Sequence, residues 1–306
     1  MLIPTSLMVG GYDISIDSLL HDPAAREMFL ISRVPRTLAL IFAGTAMSVS
    51  GQIMQALTQN RFVEPTTIGS SQWAGLGILL MLILFPQAPI IVRMVVASAF
   101  ALLGTLIFLA ILRRIQLTSS LVVPLIGIML GAVIGAATLY LASTFSLLQT
   151  MSAWQSGGFS NIVRGQYEPL WIIAGVTLAA YLFASRFTVA GLGRDIAVNV
   201  GLNYARVVFL GSTIVAIATG VTAVVVGYLP FLGLIVPNIV SMLRGDDVRR
   251  NLFWVAGLGV ALILLCDLIG RVVVAPMEIP VSVVLGVVGA VAFVYLVLRR
   301  QRVGAL

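Results

Sequence analysis

Hydrophobic side chains fall along this chain in long uninterrupted runs, with polar residues collected into short breaks. Nine apolar segments can be read directly, at 37–58, 68–85, 90–112, 121–147, 169–187, 207–226, 231–242, 252–274 and 281–298. Most approach or exceed the roughly 20 residues a helix needs to cross a bilayer. The pattern therefore predicts an all-α polytopic membrane protein. The seventh segment is too short by hydropathy alone, and Pro230 and Pro237 mark it as a broken or tilted helix. Such helices are tolerated where they face protein or a water-filled path.

Arginine positions decide whether that segment crosses. Short cytoplasmic loops collect basic residues. If the first long segment runs inward and every segment crosses, 12 of the 18 basic residues lie in the cytoplasm. Arg26, Arg33, Arg36, Arg93, Arg164 and Arg271 stay outside. Dropping the seventh crossing would send Arg299, Arg300 and Arg302 outside, against the rule. Residues 1–16 hold a further apolar stretch, interrupted by Pro4, Gly10, Gly11 and Asp13, and read as a short or incomplete first helix. The expectation is about ten helices with both termini cytoplasmic, forming one transmembrane domain over 1–306. Residues 37–147 and 206–298 each hold four segments that enter in opposite senses, which suggests an inverted repeat. Residues 188–206 form a polar cytoplasmic stretch between them.

Composition narrows the function. The chain has 306 residues, 60% hydrophobic and 9% charged, where soluble domains carry about a quarter charged residues. A soluble enzyme or nucleic-acid binder is excluded. All 18 basic residues are arginine, so a P-loop, which needs a lysine on the phosphates, is absent. The lone Cys266 forbids an internal disulfide and any cysteine-based metal cluster, and its apolar surroundings suggest inert packing. The lone His21 sits in a polar stretch and reads as solvated. No nucleophile–base pair and no two-carboxylate site can be found, and no cofactor or metal is expected on this chain.

Four polar features remain. Ser32-Arg33-Val34-Pro35-Arg36 puts two arginines outside, against the positive-inside bias, and Arg271 falls on the same side. They read either as lipid-headgroup and helix-start residues, with Pro35 opening the helix, or as an electrostatic dock for an acidic partner, since a guanidinium offers a rigid fork to a carboxylate. Next, glycines bracket the segment from Gly191 to Leu202. Ile196, Val200 and Ala197 share a face there, as an interfacial helix or as one that lies in a soluble partner's groove. Third, Ser48, Gln52 and Gln55 form a polar face on the first long helix, lining a water-accessible path or a subunit contact, while Gly127, Gly131 and Gly135 make a small-residue ridge suited to tight packing. The methionines at 47, 54, 81 and 129 read as core filler. Last, Asp267 and Arg271 stand one turn apart, a pair that can neutralise itself in the membrane.

Together these features resemble the permease subunits of ABC importers for iron-siderophores, haem and vitamin B12, over about residues 12–300. Arg33-Val34-Pro35-Arg36 is similar to the family's R-x-P-R, and Gly51-Gln52-Ile53-Met54-Gln55 to its G-x-x-x-Q. Asn60-Arg61-Phe62-Val63-Glu64-Pro65-Thr66-Thr67-Ile68-Gly69 resembles N-P-L-A-x-P-x-x-L-G. Phe231-Leu232-Gly233-Leu234-Ile235-Val236-Pro237-Asn238-Ile239 resembles G-F-x-G-L-x-x-P-H-I, and Glu278-Ile279-Pro280-Val281 the E-x-P turn. Arg61-Phe62 replaces Pro-Leu, Asn238 the frequent His, and Ser282 the Gly of E-x-P-x-G.

The resemblance implies that Arg33, Arg36 and Arg271 receive acidic residues of a substrate-binding protein. It implies that Leu192, Gly193, Arg194, Asp195, Ala197, Val200, Gly201 and Leu202 couple to an ATPase, and that an inner gate lies near Thr118, Ser119 and Ser120. The implied partners are a second permease subunit, two ATPase subunits that use ATP and magnesium, and an extracytoplasmic binding protein. The N-R-F-V-x-P-T-T version resembles the catecholate and petrobactin-type branch, which favours ferric siderophore over haem or vitamin B12. A cation-coupled carrier working alone is the alternative, with Asp267 as its deepest acid. A membrane scaffold is a third.

Overall fold

The computed structural model describes residues 2–9, 16–115, 120–274 and 277–303. The helices are α1 (Leu2–Met8), α2 (Ile16–His21), α3 (Pro23–Met28), α4 (Val34–Thr58), α5 (Ser70–Leu84), α6 (Ile90–Leu112), α7 (Val122–Thr144), α8 (Leu148–Gln155), α9 (Ile172–Gly191), α10 (Arg194–Asn199), α11 (Tyr204–Val225), α12 (Leu232–Arg244), α13 (Val248–Val272) and α14 (Val281–Val303). A π-helical turn, Phe29–Arg33, joins α3 to α4. No strand occurs among the described residues.

Each of the nine apolar segments coincides with one of these helices. Six helical stretches are long and apolar enough to cross a membrane: Pro23–Thr58, Ile90–Leu112, Val122–Thr144, Glu168–Gly191, Tyr204–Val225 and Val248–Val272. Three shorter apolar helices accompany them, starting at Ser70, Leu232 and Val281. A tenth crossing at 1–16 is not among them. The described part of that stretch forms only the seven-residue α1, about 10 Å long, which lies across α4 and α13.

The centre of the bundle is α4. Alanine, glycine and serine recur along it, so neighbours approach from every side, and most of its residues are buried. Its first half enters one apolar core with Leu40 and Met47, together with Leu232, Val236 and Ile263. Its second half enters another, where Ile53 and Met54 meet Phe108, Phe187 and Val215. Helix α13 runs antiparallel beside it: Arg36 meets Asp267, Gly259 takes Ser48, and Gln52 reaches the Val248 carbonyl. Helix α11 packs on α6 much as α13 packs on α4, and α9 touches α4, α11 and α13.

Helix α12 begins inside the bundle. The thirteen residues of α12 span only about 20 Å. Its start lies against the middle of α4, where a Cβ on Gly51 would strike the Gly233 backbone. Free N–H groups at a helix start inside a membrane are costly unless bonded. Here the Glu64 carboxylate accepts from the Phe231 N–H at 2.8 Å and from the Thr66 hydroxyl. Residues 59–69, which carry Glu64, turn back into the bundle. They pack on the glycine ridge of α7, where Gly127 meets Thr67 and Ile68, and Gly131 meets Gly69. Gly135 faces open space. Met129 is 62% exposed, so it is not core filler, whereas Met47, Met54 and Met81 are buried.

Candidate functional site

The three arginines singled out by topology meet at one end of the bundle. Arg33 closes the π-turn, Arg36 lies in the first turn of α4 and Arg271 in the last turn of α13. None forms an open patch; each is 5–7% exposed. Two of them are ion-paired to acids of the same chain. Arg36 donates from Nη2 to Asp267 at 2.7 Å and from Nη1 to both Glu278 oxygens at 3.0 and 2.8 Å. Arg271 is ion-paired to the other oxygen of Asp267, so the i, i+4 pair expected from sequence forms but is shared with a third residue.

Helix α1 completes the cluster. Arg271 donates to the Ser6 and Val9 carbonyls at 3.0 and 2.8 Å, and Arg33 to that of Val9 at 2.7 Å. Carbonyls freed at the end of a short helix thus become acceptors for buried guanidiniums. Glu278, just before α14, also accepts from the Ser160 hydroxyl. Burial draws its carboxyl upward, but the Ser160 hydroxyl and the Arg36 guanidinium outweigh this and leave it below the usual carboxylate range. The motif comparison noted Glu278 without assigning it a role; only the fold brings it to Arg36, 242 residues away.

At the opposite end lies α10, between Gly193 and Gly201, whose φ values of 112° and 82° suit glycine. The bracketing glycines thus delimit the helix as the sequence suggested. Ala197 is fully buried while Ile196 and Val200 are exposed, so the three do not share one face. Leu192, Ile196, Val198 and Val200 are exposed, by 50 to 66%. Arg194 and Leu202 line a groove of about 560 Å³ between α10 and the ends of α4 and α6. Asp195 lies in the first turn of α10, and Gly201 forms its exit.

The polar face of α4 packs on α13 at Ser48 and borders a cavity at its two glutamines. Ser48 is fully buried at the α13 crossing. Gln52 donates to the Val248 carbonyl at 3.4 Å and Gln55 to that of Gly233 at 3.3 Å. Both glutamines line a cavity of about 460 Å³ with Asn60, Thr188, Ser241, Asp247 and Asn251.

Thr118 and Ser119 lie outside the described residues. The Ser120 carbonyl accepts from the Asn60 amide at 2.6 Å, and Asn238 donates to the Arg61 carbonyl at 2.7 Å. The 59–69 loop is therefore tied both to the start of α7 and to α12. Asn60 and Asn238 were visible in the sequence only as motif letters; the contacts explain why amides stand there. Among the described residues no group of three or more His, Cys, Asp or Glu side chains could hold a metal ion.

A bundle with six helical stretches long and apolar enough to cross a membrane, broken shorter helices between them and a buried charge cluster at one end fits a multi-pass membrane protein. A search against protein families matches residues 1–299 to the FecCD transport family, and the chain belongs to that family. It is 49% identical over 297 residues to the petrobactin import system permease of Bacillus anthracis, covering 97% of this chain and 87% of that one. It is 40% identical to the ferric-anguibactin transport system permease of Vibrio anguillarum, over 98% and 96% of the two chains. In fold it matches a metal-chelate type ABC transporter in an inward-facing conformation, with a TM-score of 0.82 over 97% of this chain and 95% of the other at 22% identity.

Proposed function

We propose that this chain is the membrane-spanning permease subunit of an ATP-driven importer for a ferric siderophore of the petrobactin or related catecholate kind. The similarity to a petrobactin permease along 97% of the chain carries this reading. The scheme needs a second permease subunit, identical or not, two ATPases that use ATP and magnesium, and a substrate-binding protein. No cofactor belongs to this chain. The end of α14 and α10 face the cytoplasm, as the arginine distribution suggests, while the arginine cluster, with α1 bonded to it, faces outward. Residues 37–147 and 206–298 act as inverted halves of one domain, a reading supported by the matched packing of α4 on α13 and α11 on α6.

In this scheme Arg33, Arg36 and Arg271 receive acidic side chains of the binding protein, and α10 lies in the ATPase groove through Leu192, Ile196 and Val200. Cargo passes between two permease subunits by way of a gate formed by residues 118–120 and Asn60. The carrier alternative loses its candidate acid, since Asp267 is buried and ion-paired to both Arg36 and Arg271.

The test is uptake of radiolabelled ferric petrobactin in a permease-deletion strain. Complementation restores uptake, and Arg33→Glu with Arg36→Glu abolishes it while the protein still inserts. Wild-type rates from the double variant overturn the docking role. Solute accumulation by vesicles holding this chain alone, driven by a cation gradient, overturns the importer reading as a whole.

A further inference from the structure

Within the cluster one acid differs from the rest. Asp267 is 1% exposed and the three arginines are hardly more so, but the Glu278 side chain keeps 28% of its surface open. The Arg36 fork is divided between the two acids. Its Nε and Nη2 hold Asp267 inside the bundle, and its Nη1 holds both oxygens of Glu278 at the rim. A carboxylate arriving from outside therefore finds the outward donor of Arg36 already taken.

We infer that Glu278 occupies on Arg36 the position that a carboxylate of the substrate-binding protein takes on docking, so that docking exchanges one acid for the other. This rests on the docking role proposed above. The exchange is chemically even: a carboxylate replaces a carboxylate, the guanidinium keeps a charge-assisted partner, and Asp267 holds Arg36 in place throughout.

The consequence lies in what Glu278 is attached to. The Ile279 N–H donates to the Gly270 carbonyl at 2.9 Å, and the Pro280 carbonyl accepts from the Val283 N–H at 3.0 Å. The stretch around Glu278 thus joins the end of α13 to the first turn of α14. Ser160, which donates to Glu278, lies on the strand of chain between α8 and α9, and the Ser282 N–H donates to the Gly157 carbonyl of that same stretch. Release of Glu278 frees the start of α14 from α4 and carries the docking event into a membrane helix.

The measurement is the Kd of the importer's own substrate-binding protein for the assembled complex in lipid nanodiscs, for wild type, Glu278→Gln, Ser160→Ala and Arg36→Ala. Glu278→Gln removes the competing charge and tightens docking about fivefold, the upper end for a partly exposed ion pair. Ser160→Ala loosens the hold on Glu278 and tightens docking by less. Arg36→Ala weakens docking at least tenfold. Unchanged or weaker docking in Glu278→Gln, with Arg36→Ala defective, overturns the exchange and leaves the docking role standing. Unchanged docking in Arg36→Ala overturns the docking role itself. Should Glu278→Gln fail to assemble by size-exclusion chromatography, Ser160→Ala decides alone: docking no tighter than wild type overturns the exchange.

Discussion

The two ends of the bundle solve opposite problems. At the arginine end the chain has gathered charge and buried it: Arg36 and Arg271 bind Asp267 and Glu278, and Arg271 and Arg33 bind carbonyls at the end of α1. At the α10 end it leaves apolar side chains in the open, with Val200 at 66% exposure just past a helix of six residues. Charges can be satisfied within one chain, because a partner acid need only be supplied from a neighbouring helix. An apolar face on a short helix cannot be, since only a second surface removes it from water. The arginine end is complete alone and changes by exchange, whereas the α10 end is unfinished until something covers it.

The largest effect that would break this contrast is Asp267→Ala. It strips Arg36 and Arg271 of the acid they share, and leaving buried charge uncompensated costs about 3–5 kcal/mol. Thermal unfolding in detergent should fall sharply, and an unaltered melting temperature would mean that the cluster is not structural.

At the other end, Ile196→Asp with Val200→Asp should weaken ATPase association at least tenfold, as loss of an apolar anchor implies. The same variant should change permease stability by only about 0.5 kcal/mol, because both side chains are exposed. Pull-down and melting measured on one preparation separate the two quantities. A destabilised permease that still binds its ATPase would invert the comparison.

Between the two ends, Gln55→Leu removes the bond to the Gly233 carbonyl and should cost about 1 kcal/mol. The smallest effect is expected from Arg61→Ala. It breaks the 2.6 Å pair with Asp246, whose side chains are 47% and 67% exposed, and surface pairs contribute at most about 1 kcal/mol. A large loss from Arg61→Ala would mean that this exposed pair matters as the buried cluster does.

Much of this was legible before any fold was in hand. Helix positions followed from run length, because a bilayer imposes a fixed span on apolar segments. Short α12 was marked by its prolines, and α10 by its flanking glycines, because those residues act on the local backbone. The two outer arginines drew attention by opposing the charge bias. What sequence could not give was the company each residue keeps. The acids that Arg36 binds stand 231 and 242 positions away along the chain, out of reach of any local pattern. Ser48, Gln52 and Gln55 shared a helix face in any account, but which neighbour covers that face depended on where α12 and α13 cross.

Sequence by itself determined the helices, the family and the three arginines, since all are set by local patterns of burial, turn chemistry and motif order. Only the tertiary structure decided that Arg36 and Arg271 are ion-paired within the chain, that Glu64 bonds the start of a helix begun inside the bundle, and that Ala197 faces inward while Val200 does not. Helix-crossing geometry brings together side chains that hundreds of intervening residues keep apart along the chain. No local pattern encodes that.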